Sequence, residues 1–229
     1  MVAMIRGAFV DAVPLMRSRA MLYIAMAVLC AAIGLFLPAL SVVRDARAAA
    51  TAPLFTLPDA LDAILWVVVF FVYPSVAQTE RSEFRMTVGR FFGIIGIWLV
   101  FGIETVFGFV AFIGCGFWIS VKWSLSVWTF LLGEGKNPFS ESWALTTGQF
   151  WETFAFTALL AVAAGVPWMI GLIGVSGNVT GQMEVAVVLR PIAFLIYVYA
   201  LHVFLLGQMR WMLRLRERVQ GFTIIQATV

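Results

Sequence analysis

The chain has 229 residues, of which 62% are apolar and 12% charged, with a formal net charge of +3. A soluble domain is about 45–50% apolar and about 25% charged. One of this length has too little interior to bury that much apolar surface, so the composition excludes a water-soluble globule, a disordered chain and a disulfide-stapled secreted module. The mean hydropathy of +0.99 points to lipid as the solvent.

A bilayer core about 30 Å thick is crossed by roughly 20 apolar residues at 1.5 Å rise per residue. Six stretches meet that length, at about 20–40, 60–78, 91–113, 116–132, 153–175 and 191–209. The expected fold is all-α: a single six-helix transmembrane bundle over 1–218, with 219–229 as a C-terminal tail. The first stretch is too long for a signal-peptide core and no small-residue cleavage site closely follows it, so it reads as a retained helix. Ahead of it, Met4, Ile5, Phe9, Val13 and Met16 alternate with Arg6, Asp11 and Arg17, a pattern for a helix lying in the interface. Asp59 and Asp62 suit the dipole at the start of the second span. Gly114, Cys115 and Gly116 are the expected turn between spans three and four. Cys30 and Cys115 both lie in apolar runs and read as buried free thiols. Pro74 and Pro167 are expected to kink spans two and five, and Gly89, Gly93, Gly96 and Gly165 to let helices approach closely.

Basic residues orient the bundle. With six spans, Arg6, Arg17, Arg19, Arg81, Arg85, Arg90, Lys136, Arg210, Arg214, Arg216 and Arg218 fall on one face, and Arg44, Arg47 and Arg190 on the other, eleven against three. By the positive-inside rule both termini are cytoplasmic. The same placement turns the net positive charge toward membrane flanks and away from nucleic acid.

The segment after span four is the most informative. Asn137 can cap free amides and Pro138 suits a first helical turn. Phe139 and Trp143, four residues apart, share a face, and Gly148 can end the helix in a left-handed conformation. These residues predict a short helix lying flat on the cytoplasmic surface, its aromatics dipped into the headgroups. Glu134 and Gly135 followed by Ser142, Trp143, Leu145, Thr146 and Gly148 resemble the membrane domain found beside glycerophosphoryl diester phosphodiesterases, and related bacterial multi-pass families of unknown function. The likeness covers about 35 residues well and the six-span layout loosely. Thr147-Gly148-Gln149 departs from it where a basic residue often sits. It implies a helical bundle in a bacterial cytoplasmic membrane and no catalysis, since the phosphodiesterase chemistry of those enzymes belongs to a separate soluble domain.

Ionisable groups at membrane depth are the candidate sites. Glu104 and Lys122 are expected at depths of roughly 15 and 9–10 Å from the turn that joins spans three and four, facing each other. Such a pair is either a proton- or ion-linked site or a neutralised pair that fixes helix register. His202, the only histidine, lies near mid-membrane. It reads as an interhelical hydrogen-bonding group, with axial ligation of a haem or chlorin as the minor alternative. No other cofactor and no metal is expected: the sequence has no His-Glu-x-x-His or Gly-x-Ser-x-Gly motif and no phosphate-binding loop. The expected function is a non-catalytic scaffold or accessory subunit whose partners are the bilayer and other membrane proteins. The alternative is a small transporter or channel for a lipid or hydrophobic solute using Glu104, Lys122 and His202.

Overall fold

The computed structural model describes residues 1–29, 32, 68, 71–111, 113–133, 137–176 and 183–227. Half of the first two predicted spans, with Cys30, Asp59 and Asp62, therefore lies outside the described residues. All regular structure among those described is helical: α1 (Val2–Ser18), α2 (Ala20–Leu29), α3 (71–77), α4 (Val88–Ala111), α5 (Ile113–Trp123), α6 (Ser126–Leu132), α7 (Pro138–Thr146), α8 (Phe150–Ser176) and α9 (Met183–Ala227).

Four segments are long and apolar enough to cross a membrane: Val88–Gly108, Ile113–Leu132, Phe150–Pro167 and Pro191–Val219. A fifth is counted if α1 and α2 are taken as one broken span, bent by 80° at Arg19. Beside the bend, the Arg19 guanidinium donates to the Phe71 carbonyl at 3.2 Å.

By its internal packing the chain divides into two compact units: residues 1–7, 76–162 and 204–229, and residues 8–75 and 163–203. In the first unit α4 runs back along α5 and α6. A Cβ on Gly108 would stand 2.8 Å from the Gly116 Cα, so these two helices touch backbone to backbone near their junction. At the other end a Cβ on Gly93 would collide with the Phe130 ring. Gly114–Gly116 are not the expected turn: all three are helical, inside α5, and Gly116 serves close approach there. Gly89, Gly96 and Gly165 have open space where a side chain would start, so close packing is not their role. Cys115 is exposed, against the expectation of burial.

α8 and α9 are joined within this unit by large apolar groups. Phe156 stacks on Trp211 with centroids 4.7 Å apart and planes 12° apart, and the Trp211 indole N–H donates to Thr153 Oγ1 at 3.2 Å. Leu160 fills the space over Gly207, where a Cβ would come within 2.7 Å. α8 continues through Pro167 to Ser176.

Gly108→Val should overfill the α4–α5 contact and cost about 1–3 kcal/mol, whereas Gly96→Ala should be close to neutral. Unfolding of the two variants in mixed micelles, titrated with denaturing detergent, separates them; equal midpoints would remove the backbone contact from the account.

Candidate functional site

The predicted fourth span is broken. Serines compete for backbone groups, and Ser124 Oγ donates to the Val121 carbonyl at 2.9 Å while its amide reaches the same oxygen at 3.4 Å. α5 stops at Trp123 and α6 starts at Ser126. A helix that stops leaves its last carbonyls without amide partners, and lipid offers none. α7 supplies one: Ser142 Oγ donates to the Lys122 carbonyl at 2.7 Å, with Thr146 Oγ1 3.5 Å away. Both hydroxyls are fully buried.

Local sequence holds α7 in position. Asn137 Oδ1 accepts from the amides of Phe139 at 3.0 Å and Ser140 at 3.4 Å, Pro138 occupies the first turn, and Glu141 lies in it. Thr129 Oγ1 lies 2.8 Å from the Pro138 carbonyl, tying α6 to the start of α7. The helix ends at Thr146, and Gly148 follows with φ +79°, a conformation that favours glycine. The expected helix therefore exists, but its aromatic face is turned to α5: Phe139 packs on Trp123 with centroids 4.6 Å apart, and Trp143 lies 6.4 Å from Trp118. About two-fifths of Trp143 stays exposed, as does most of Trp151.

The Lys122 side chain closes this arrangement. Its Nζ donates to Thr147 Oγ1 at 3.0 Å and stands 5.2 Å from the ring centres of both Trp118 and Trp143. Thr147 passes its own hydroxyl hydrogen to the Trp143 carbonyl at 2.8 Å. Cation–π attraction strengthens as water is excluded, and Lys122 is only 2% exposed.

Glu104 does not take part. It is exposed on α4 and makes no ion pair among the described residues. The structure thus does not bring Glu104 and Lys122 together. Their expected depths lie within reach of long side chains, but their azimuths do not agree. Lys122 is six residues beyond Gly116, the point where α5 touches α4, so it is turned about 240° around α5 at 100° per residue and points to α7.

A second polar group collects around one end of α6. Arg81 and Arg216 both donate to the Leu132 carbonyl, at 3.1 and 3.3 Å. Arg216 also forms an ion pair with Glu141, and Arg218 reaches Gln149 Oε1 at 2.7 Å and Glu152 Oε2 at 2.8 Å. Two guanidinium groups at a helix C-terminus complement both its open carbonyls and its dipole. Three segments that charge sorting assigns to one face, those of Arg81, Glu141 and Arg216, are here in contact.

In the second unit His202 is fully buried. Its Nδ1 lies 2.8 Å from the Val198 carbonyl, which fixes the proton there, and Nε2 is left to accept. Ser75 Oγ lies 3.0 Å and Tyr23 OH 3.3 Å from Nε2. Both ring nitrogens are thus engaged within the fold. A hydroxyl at this distance from an imidazole has the geometry of a nucleophile and its base, but Ser75 is itself 2% exposed and is not open to a substrate. The three side chains join α2, α3 and α9 through one ring. Sequence reasoning passes over Ser75, Tyr23 and Thr147; a hydroxyl inside an apolar run is the signal that could have found them, because it must donate somewhere.

Compared with known proteins, the chain matches no family model, no curated protein and no solved structure.

Ser142→Ala should leave the Lys122 carbonyl unmet and cost about 1–3 kcal/mol, with red-shifted tryptophan emission as the Trp118–Lys122–Trp143 stack loosens. Unchanged stability and emission would show that the break is satisfied by other means. Arg216→Ala should cost roughly 1.5–3 kcal/mol, since charge-assisted bonds to Leu132 and Glu141 are lost. Arg218→Ala, whose partner Glu152 is half exposed, should cost less than about 1 kcal/mol. Detergent-unfolding midpoints rank the two, and the opposite ranking would remove Arg216 from the belt.

Proposed function

We propose that the chain is a non-catalytic membrane bundle that serves as an accessory or scaffolding subunit of a larger assembly in a bacterial cytoplasmic membrane. In this reading it crosses six times, with both termini in the cytoplasm. The observation that carries it is how the polar groups at depth are used. Lys122 is consumed by Thr147 and two indoles, and His202 by Val198, Ser75 and Tyr23. Groups spent on joining helices are structural fasteners. The other face of the argument is surface. α4 presents Phe92, Leu99, Ile103, Val106 and Val110 outward, each more than two-fifths exposed, a broad face for lipid or another membrane protein.

The arginine belt supports the orientation, since Arg81, Arg216 and Arg218 gather at one end of the first unit. The resemblance of the 122–154 segment to the membrane domain beside glycerophosphoryl diester phosphodiesterases supports a bundle without chemistry of its own. The alternative, a small transporter or channel working through Glu104, Lys122 and His202, has less support. A conduit needs side chains free to meet a solute, and two of the three are held internally.

Affinity purification of the tagged full chain from native membranes in mild detergent, followed by mass spectrometry, tests this reading. A fixed set of membrane-protein partners at constant ratio is expected. A chain that purifies alone, and that moves solute when reconstituted in vesicles, would replace the subunit reading with the transporter.

A further inference from the structure

We propose that the Glu104 side of α4 is an intersubunit surface, and that its occupant is a transmembrane helix of a different protein presenting a lysine or arginine at the depth of Glu104. The proposal rests on the accessory-subunit reading and names the chemistry of the partner.

The argument is one of charge. Glu104 lies sixteen residues past the first residue of α4 and seven before its last, about 24 and 10 Å along the axis at 1.5 Å per residue. It is exposed and unpaired among the described residues. Next to it Thr105 Oγ1 is buried with no hydrogen-bond partner among those residues. A carboxylate so placed calls for a counter-charge or a donor.

At the depth the predicted spans occupy, the sequence offers no free cation. Within the six apolar stretches the sequence holds one lysine, one histidine and no arginine. The lysine is Lys122, already seated between Trp118 and Trp143 and bonded to Thr147. The histidine is His202, whose nitrogens are both engaged. The stretches 20–40 and 60–78 contain no basic residue at all. A second copy would bring the same occupied cations and another carboxylate, and like charges repel. Headgroup ammonium ions of lipids sit beyond the end of the helix, about 10 Å of axis away. A basic residue on a foreign helix satisfies the site, as intramembrane charges commonly pair with one another.

The experiment uses the full chain in its native membrane. Phe107, 67% exposed and one turn from Glu104, is replaced by the photoreactive p-benzoylphenylalanine. Irradiation is followed by mass spectrometry of the adduct, in the wild-type background and in Glu104→Gln and Glu104→Asp. The expected result is an adduct with one other polypeptide, mapped to an apolar span that holds a lysine or arginine. Its yield should fall at least about tenfold in Glu104→Gln, and be largely kept in Glu104→Asp. Reversal of both charges, Glu104→Lys with the partner's basic residue changed to Glu, should restore the yield. Glutamine is nearly the same size at an exposed position, so an unchanged unfolding midpoint checks that the variant folds.

Adducts only with lipid, only with a second copy, or only with another segment of this chain would overturn the proposal. So would a foreign adduct whose yield is the same in Glu104→Gln. If partners co-purify with wild type and Glu104→Gln alike, the surface assignment falls and the accessory-subunit reading stands. If no partner co-purifies with wild type, that reading falls first and takes the proposal with it.

Discussion

The structure of the first unit depends on one unmet carbonyl. Where α5 stops at Trp123, hydrocarbon cannot hydrogen-bond the exposed backbone. A break at that place is stable only if another part of the chain reaches in with a donor. Ser142 does so, and it can because Asn137, Pro138 and Thr129 fix where α7 begins. Lys122 belongs to the same solution. Its carbonyl is capped by α7 and its ammonium is held by the end of α7, so one residue joins the two helices through both its backbone and its side chain. The indoles of Trp118 and Trp143 then exclude water from the cation they attract.

The arginine belt adds a second tie to the same hairpin. α6 ends at Leu132, and its terminal carbonyl receives guanidinium groups from two distant parts of the sequence, Arg81 and Arg216. Arg216 also neutralises Glu141 on α7. The start and the end of the α6–α7 region are thus held by different chemistry: buried hydroxyls near Lys122, and partly wetted ion pairs near Leu132. The first resists salt; the second is screened by it within about a Debye length of 8–10 Å.

Much of this was legible in the sequence where the physics is local. Apolar length located the helices from 88 onward, and the cap chemistry of Asn137, Pro138 and Gly148 located α7 because caps depend on neighbours in the chain. What could not be read was azimuth. The expected depths of Glu104 and Lys122 are close enough for long side chains to bridge, and depth is a sum of rises along the axis. Whether two side chains meet also depends on rotation about each axis, and that is set by the Gly108–Gly116 contact, which sequence alone does not register. The break at Ser124 was hidden for a related reason. In an apolar helix every face reads alike, so hydrophobic periodicity, the main signal for soluble helices, carries no phase here. Ser124 was a mark in the run, but its meaning depended on a helix that begins fourteen residues later.

The same loss of phase explains why His202 was readable as a site but not as this site. A lone histidine in an apolar run must bond both ring nitrogens or pay in desolvation, and the i−4 carbonyl of Val198 is always within reach along its own helix. That local bond fixes the tautomer and leaves Nε2 as a single acceptor. Which donors then converge on it is decided by packing between helices, and here Ser75 and Tyr23 do. An acceptor met by two hydroxyls from two other helices has its freedom used up by the fold. Glu104 is the opposite case: no neighbour among the described residues converges on it, so in the proposed assembly its counter-charge comes from another chain.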